Sequence, residues 1–275
     1  MTIRKKLYCD PFALCCLLMI SSVILAGVFA PWLSPYDPDA TNIHLKFGVI
    51  DTTHWLGTDH LGRDIFSRLL WGIRTSVFYA LFAMSVTLFI GILLGLLAGL
   101  MGGKIEESIM QSCDIMLSFP GEVMILALVG LFGPGGSNMI IAMIIVKWAW
   151  YARMTRSIVQ QYTHKNYVLY AQIIGASHWH ILIRHLLPVA GAELLILATA
   201  DVGSVILLMS ALSFLGLGVQ PPTAEWGVML ADAKNAILTH PEQMLPPGIA
   251  IITVTVAFNG LGDFLRDWFD TKQPN

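Results

Sequence analysis

Long uncharged apolar runs alternate along this chain with polar stretches rich in Pro, Gly and Asp. A hydrocarbon core of about 30 Å takes about 20 helical residues at 1.5 Å each. Six runs meet or approach that length: about 12–30, 77–101, 113–132, 138–158, 189–216 and 246–262. The first ends on Val28-Phe29-Ala30, which imitates a signal-peptide cleavage site, but its apolar stretch exceeds the 7–15 residues typical of one. The second carries Gly91, Gly95 and Gly99 on one helix face, a spacing that permits close helix contact. Gly133-Pro134-Gly135-Gly136-Ser137-Asn138 interrupts the next apolar block, so the block divides into spans three and four around a turn at a water interface.

The expectation is an all-α integral membrane protein of six transmembrane helices with both termini in the cytoplasm. Residues 1–11 lie inside, 31–74 form an external segment with an amphipathic helix, 160–187 an internal loop, 218–245 an external loop, and the residues after 262 a cytoplasmic tail. Basic residues support this orientation. Arg4, Lys5, Lys6, Lys104, Arg153, Arg156, Lys165, Arg184, Arg266 and Lys272 fall inside, against Lys46, Arg63, Arg68, Arg74 and Lys234 outside, an excess in the positive-inside sense. The Pro31 to Pro38 piece is expected to be extended or turned.

Composition agrees with the pattern. Hydrophobic residues make up 56% and charged ones 12% of 275, where a soluble domain has roughly 45–50% and about 25%. A mean hydropathy of +0.69 excludes a disordered chain. The net charge of -2 implies no attraction to nucleic acid. Cys9, Cys15, Cys16 and Cys113 lie away from the two external segments, which argues against a disulfide framework.

Sequence motifs offer no catalytic constellation: the chain has no Walker-type phosphate loop, Gly-x-Ser-x-Gly elbow, HExxH helix or paired-cysteine zinc spacing. His178-x-His180 is a weak metal pair, because alternate residues on a helix point apart. All eight histidines fall outside the spans, so no imidazole relay crosses the membrane. Met139 and Met143 read as packing.

The internal loop is the most informative stretch. Tyr167, Tyr170, Ala171 and Ile174 are expected on one helical stripe, then Gly175, then Trp179, Leu182, Ile183 and Leu186 on a second, with Pro188 opening the next span. Two short amphipathic helices joined at a glycine leave an apolar face that suits a docked partner, or a lipid surface.

These residues resemble the permease subunits of ATP-binding-cassette importers, whose internal signature is Glu-Ala-Ala, three residues, Gly, nine residues, Ile-x-Leu-Pro. Ala171, Gly175, Leu187 and Pro188 match it, whereas Leu169, Tyr170 and His185 depart from it. Stretches His54 to Arg74, Ser213 to Gly227 and Phe258 to Asp270 are similar to the second permease of the dipeptide, oligopeptide and nickel importers, and Trp148 to Ser157 with Pro222 to Met229 is most similar to the nickel members. The resemblance implies a type I importer core in the inner membrane, half of a pathway for free or chelated nickel, or alternatively for di- or oligopeptides. It implies four kinds of companion: a homologous permease, two ATPases that bind ATP and Mg, a solute-binding protein, and the lipid membrane. No cofactor is expected in this chain, and an intramembrane enzyme is the remote alternative.

The resemblance makes Tyr167, Ala171, Gly175, Ala176, Trp179, Arg184 and Pro188 the ATPase-coupling residues. Asp59, Arg63, Asp64, Glu225 and Trp226 become candidates for packing an external gate or touching the binding protein. From the residues alone, Gly57-Thr58-Asp59 reads as a turn feeding a short helix capped by Thr58 or Asp59, with Arg63, Asp64 and Arg68 pairing along it. Asp263, Arg266, Asp267 and Asp270 read as an internal anchor. Lys147 and Asp201 fall at similar depth in spans four and five, where an unpaired charge costs about 3 kcal/mol, so a pair lining the pathway is expected. Glu193 and Asn259 are the weaker pathway candidates.

Overall fold

The computed structural model describes residues 10–163 and 165–270, the side chains of Gln172, His178 and Asp270 excepted. Arg4, Lys5, Lys6, Cys9, His164 and Lys272 lie outside it. The described residues are helical and carry no strand, only an isolated bridge between Thr58 and Asp64.

Helix α1 (Pro11–Val28) starts where Asp10 accepts the backbone N–H groups of Phe12 and Ala13, with Pro11 in the first turn, where its missing N–H costs nothing. A segment to residue 64 leads into α2 (Ile65–Ile73). It holds a single helical turn at Ala30–Leu33, where an extended or turned chain is expected from Pro31, and a 3-10 turn at Ile43–Leu45. Helix α2 passes through a π-turn (Arg74–Phe78) into α3 (Tyr79–Met101). Next come α4 (Gly103–Leu117), α5 (Gly121–Phe132) and α6 (Gly136–Thr163). Helices α7 (Asn166–Ile173) and α8 (His178–Ile181) follow, and α8 joins α9 (Leu187–Phe214) through a second π-turn (Leu182–Leu186). The chain closes with α10 (Trp226–Lys234) and α11 (Leu245–Asp270).

Among the described residues four continuous stretches are long and apolar enough to cross a membrane: Pro11–Val28, Ile65–Met101, Trp179–Phe214 and Pro241–Phe269. The run expected as one span over 113–132 is instead two helices, α4 and α5, bent by 85°. Pro120 supplies the reason, since it disfavours the helical conformation in the residue before it. By contrast, the break expected at Gly133–Asn138 is present. Gly133 and Gly135 take positive φ, and Asn138 donates its Nδ2 to the carbonyls of Phe132 (2.9 Å) and Gly133 (3.1 Å). Helix α6 carries Lys147, Arg153 and Arg156, which lowers its hydropathy without shortening it.

The chain divides into two compact units. The first takes the chain up to Phe82, Leu128–Ile140 and the chain from Thr199 onward. Its main packing is α1 on α11, where a methyl on Gly260 would lie 2.6 Å from the Phe12 ring. The second takes Ala83–Ala127 and Ile141–Ala198. There the glycine stripe meets α6: side chains added at Gly91, Gly95 and Gly99 would collide with Tyr151, Thr155 and Val159. Cys113, Ala149 and Ala152 form a buried nucleus beside them, and Arg156 and Arg153 pair with Glu106 and Asp114 of α4.

Candidate functional site

In the first unit the two polar segments interlock through a buried ion-pair network. Gly57 and Gly62 each take φ +74, the left-handed region where glycine carries no Cβ penalty, and so curl residues 57–64 into a tight loop. Within it, Asp59 accepts the N–H groups of Leu61 (2.8 Å) and Arg63 (2.9 Å). The cap of α2 is Asp64, which accepts Ser67 N–H at 2.8 Å, rather than the expected Thr58 or Asp59. Asp59 serves the turn instead, and Thr58 donates its hydroxyl to the Leu45 carbonyl.

Charge pairing is likewise longer in range than expected. Arg63, 2% exposed, donates Nε to Asp59 (2.6 Å) and Nη2 to Asp232 on α10 (2.8 Å). Asp64 pairs with His54 at 2.9 Å. Arg68 donates to the carbonyls of Pro38 (2.9 Å) and Pro222 (3.2 Å). Each arginine therefore ties together segments distant in sequence. A buried guanidinium needs several acceptors, and one helix turn does not supply them.

Asp59, His60 and Asp232 bring possible ligand atoms within 4.8 Å of one another. The cavity beside them holds about 20 Å³, room for about one water. Arg63 bonds both carboxylates and Arg68 lines the same cavity, so the negative charge a divalent cation needs is already compensated. The cluster is an ion-pair lock rather than a metal centre.

A second junction joins the π-turn to α10. Glu225 is 1% exposed; it accepts the N–H of Val228 (2.8 Å) as a helix cap and the Ser76 hydroxyl (2.9 Å). Ser76 in turn accepts Trp226 N–H at 3.1 Å, while the indole Nε1 donates to the Leu69 carbonyl at 3.1 Å. Gly72 is needed there: a methyl would lie 2.7 Å from the Trp226 ring. Asp59, Arg63, Asp64, Glu225 and Trp226 are all buried, which leaves these side chains no face for direct contact with a binding protein. They hold the polar segments to the helices.

Burial pushes the Glu225 carboxyl above its ordinary 4.5, against the opposing pull of the Gly227 and Val228 N–H groups and Ser76. The folded state therefore holds a proton that the unfolded state releases, and stability falls as pH rises from 4.5 through the raised value. Melting temperature against pH should show this slope in the natural protein. Glu225→Gln should flatten it, because an amide does not ionise; parallel curves for the two proteins would refute the assignment.

The internal segment belongs to the second unit. Gly175 takes φ +80 between α7 and α8, and a methyl added there would meet no atom within 4 Å. The first expected stripe splits: Ala171 is buried, whereas Tyr167, Tyr170 and Ile174 are exposed. The second splits too, with Leu182 and Leu186 buried and Trp179 and Ile183 exposed. Val168, Ala171, Ile181, Leu182 and Leu186 turn inward, and the rings turn outward together with three isoleucines. The result is an apolar surface of Tyr167, Tyr170, Ile173, Ile174, Trp179 and Ile183, in which Ile173 is 80% and Trp179 60% exposed. Ala176 is half-buried, Arg184 and Pro188 are exposed, and helix runs unbroken through Pro188, because the π-turn before it rearranges the hydrogen bonds that proline would interrupt.

Of the pathway candidates, Glu193 accepts the Tyr162 hydroxyl at 3.0 Å and thereby ties α9 to α6. Asn259 sits against Gly203, where a methyl would lie 2.6 Å from its Oδ1. Lys147 and Asp201 are half-buried on α6 and α9.

Comparison with known proteins bears on what such a chain does. The family described as the binding-protein-dependent transport system inner membrane component matches residues 91–273, and the N-terminal transmembrane domain of oligopeptide transport permease C matches residues 2–47. The chain belongs to this permease family. This permease is 44% identical to the metal-staphylopine import system permease protein of Staphylococcus aureus, over 99% of its own length and 94% of the relative's. It is 42% identical to the nickel transport system permease protein of Escherichia coli, over 92% of each chain. The probable D,D-dipeptide transport system permease protein of Escherichia coli is 39% identical, over 96% of this chain and 88% of that one. The permease is thus an inner-membrane, multi-pass subunit of an ATP-binding-cassette importer.

Proposed function

We propose that this permease forms half of the pathway of a nickel importer and carries the metal free or as a small chelate. The observation behind the importer mechanism is the exposed apolar surface around Gly175, which suits a docked partner. The cargo reading rests on the nickel and metal-staphylopine relatives. Six spans place both termini and residues 160–187 in the cytoplasm, with 31–74 and 218–245 outside; the bent pair α4–α5 then counts as the third span. A homologous permease completes the pathway, two ATPases bind ATP and Mg beneath it, and an external binding protein delivers cargo.

Tyr167, Ala171, Gly175, Ala176, Trp179, Arg184 and Pro188 are assigned to coupling. ATP-driven closure of the ATPases would displace this handle, and the rigid helices continuous with it would transmit the movement to the external side. Lys147, Asp201, Glu193 and Asn259 are assigned as the polar residues of the spans that meet the cargo. Asp59, Arg63, Asp64, Glu225 and Trp226 are assigned to packing the gate.

The peptide reading stays alongside, because the dipeptide relative is nearly as similar. Cells lacking this subunit should lose uptake of radioactive nickel, supplied bare and with a chelator, and keep uptake of labelled dipeptide. Loss of dipeptide uptake with nickel uptake intact would reverse the assignment.

A further inference from the structure

A groove of about 1100 Å³ lies beside the π-turn, entirely within the first unit. Its walls include Trp71, Arg74, Phe78 and Phe82, with Asp37 and Asp39 from the proline-rich loop. The π-turn over Arg74–Phe78 widens the helix locally, and its anchorage to Glu225 through Ser76 fixes where that widening falls. The Arg74 guanidinium stands 5.2 Å from the Trp71 ring centroid and is exposed. Among the described residues no carboxylate pairs with it, in contrast to Arg63, which pairs with Asp59 and Asp232, and Arg68, which pairs with Asp39.

We propose that this groove is a receiving site for amphoteric cargo, with Arg74 holding a carboxylate of the ligand, Asp37 an ammonium group, and the aromatic wall its apolar parts; Asp39, which also lines the groove, is paired with Arg68. A guanidinium held in place by a ring and lacking a protein acceptor is an open carboxylate site, since the planar fork needs no rearrangement to bind. The volume suits a small peptide or aminocarboxylate chelate. The site deepens the importer reading by naming the chemistry that enters, and it rests on that reading only for the direction of travel.

The test uses the assembled importer in nanodiscs without binding protein, and measures saturable retention of four probes. These are nickel–nitrilotriacetate, nickel–triethylenetetramine, alanyl-alanine and alanyl-alanine amide. Arg74→Gln should weaken binding of a carboxylate-bearing probe by about tenfold, Arg74→Lys by less, and Asp37→Asn should weaken alanyl-alanine more than nickel–nitrilotriacetate. The two probes without a carboxylate should bind weakly to every variant. Equal binding of carboxylate and carboxylate-free probes, or Arg74→Gln binding unchanged for both carboxylate probes, would overturn the site and leave the groove as an aromatic belt facing lipid. Discrimination with alanyl-alanine but no retention of nickel–nitrilotriacetate would support the site and count against nickel as the cargo. Gel filtration of each variant with its partners separates a lost site from a lost assembly, and weakened binding in an intact assembly is the supporting result.

Discussion

Gly175→Val is expected to leave ATP hydrolysis running in the reconstituted importer while uptake falls by tenfold or more. The cause is conformational. Gly175 has φ +80 with open space around it, so the added side chain meets no neighbour, but the backbone conformation itself becomes strained. The left-handed region costs an ordinary residue about 1–2 kcal/mol, and a β-branched one is a genuine outlier there. Valine would therefore redirect the link between α7 and α8 and disperse the exposed rings on either side. Asparagine tolerates positive φ better than other residues with a side chain, so Gly175→Asn should retain most uptake. Transport per ATP in proteoliposomes is the measurement. Equal coupling in all three proteins would show that the segment is not the handle.

Arg63→Ala should produce the largest loss of stability in the polar segments. Arg63 holds Asp59 and Asp232 together, and its removal leaves Asp232 without its counter-charge and Asp59 only the longer 3.9 Å contact with Arg68, in a largely buried cluster. Breaking a buried pair on one side costs about 3–5 kcal/mol, whereas an exposed pair is worth about 1 or less. Asp232→Asn, which leaves Arg63 its Asp59 partner, should cost distinctly less. The double variant should cost less than the sum of the two, because the pair is shared. Thermal unfolding of the purified importer, with cysteine accessibility introduced at residue 238 as a local probe, would report both effects. Leu238 is a suitable position because its side chain is almost fully exposed. Wild-type melting in Arg63→Ala would mean that the network is not a lock.

Several features of the fold were legible from local composition. The apolar lengths of Pro11–Val28 and Leu187–Phe214 follow from what a helix needs to satisfy its own backbone in lipid. The glycines at 91, 95 and 99 announced a close helix contact because a four-residue spacing keeps them on one face; the partners, Tyr151, Thr155 and Val159, appear only in the packed unit. The bend at Pro120 escaped the same reasoning, since an apolar count sees hydrophobicity and not direction. In the internal segment, periodicity placed Tyr170 with Ala171, yet one is exposed and the other buried. Adjacent helical positions lie about 100° apart, and the neighbouring helix decides which of them is covered.

Charge pairing marks the sharpest division. Sequence by itself determined that this is a membrane-spanning chain with polar segments between its helices, and it singled out Arg63, Asp64 and Arg68 within them. Those properties depend on residue type and local spacing. Only the tertiary structure decided that Arg63 reaches Asp232, 169 residues away, that Glu225 is buried against Ser76, and that Arg74 stacks on Trp71 with no carboxylate beside it among the described residues. Which charges meet is set by helices that pack far from each other in sequence, and a buried ion takes whichever acceptors that packing brings within reach.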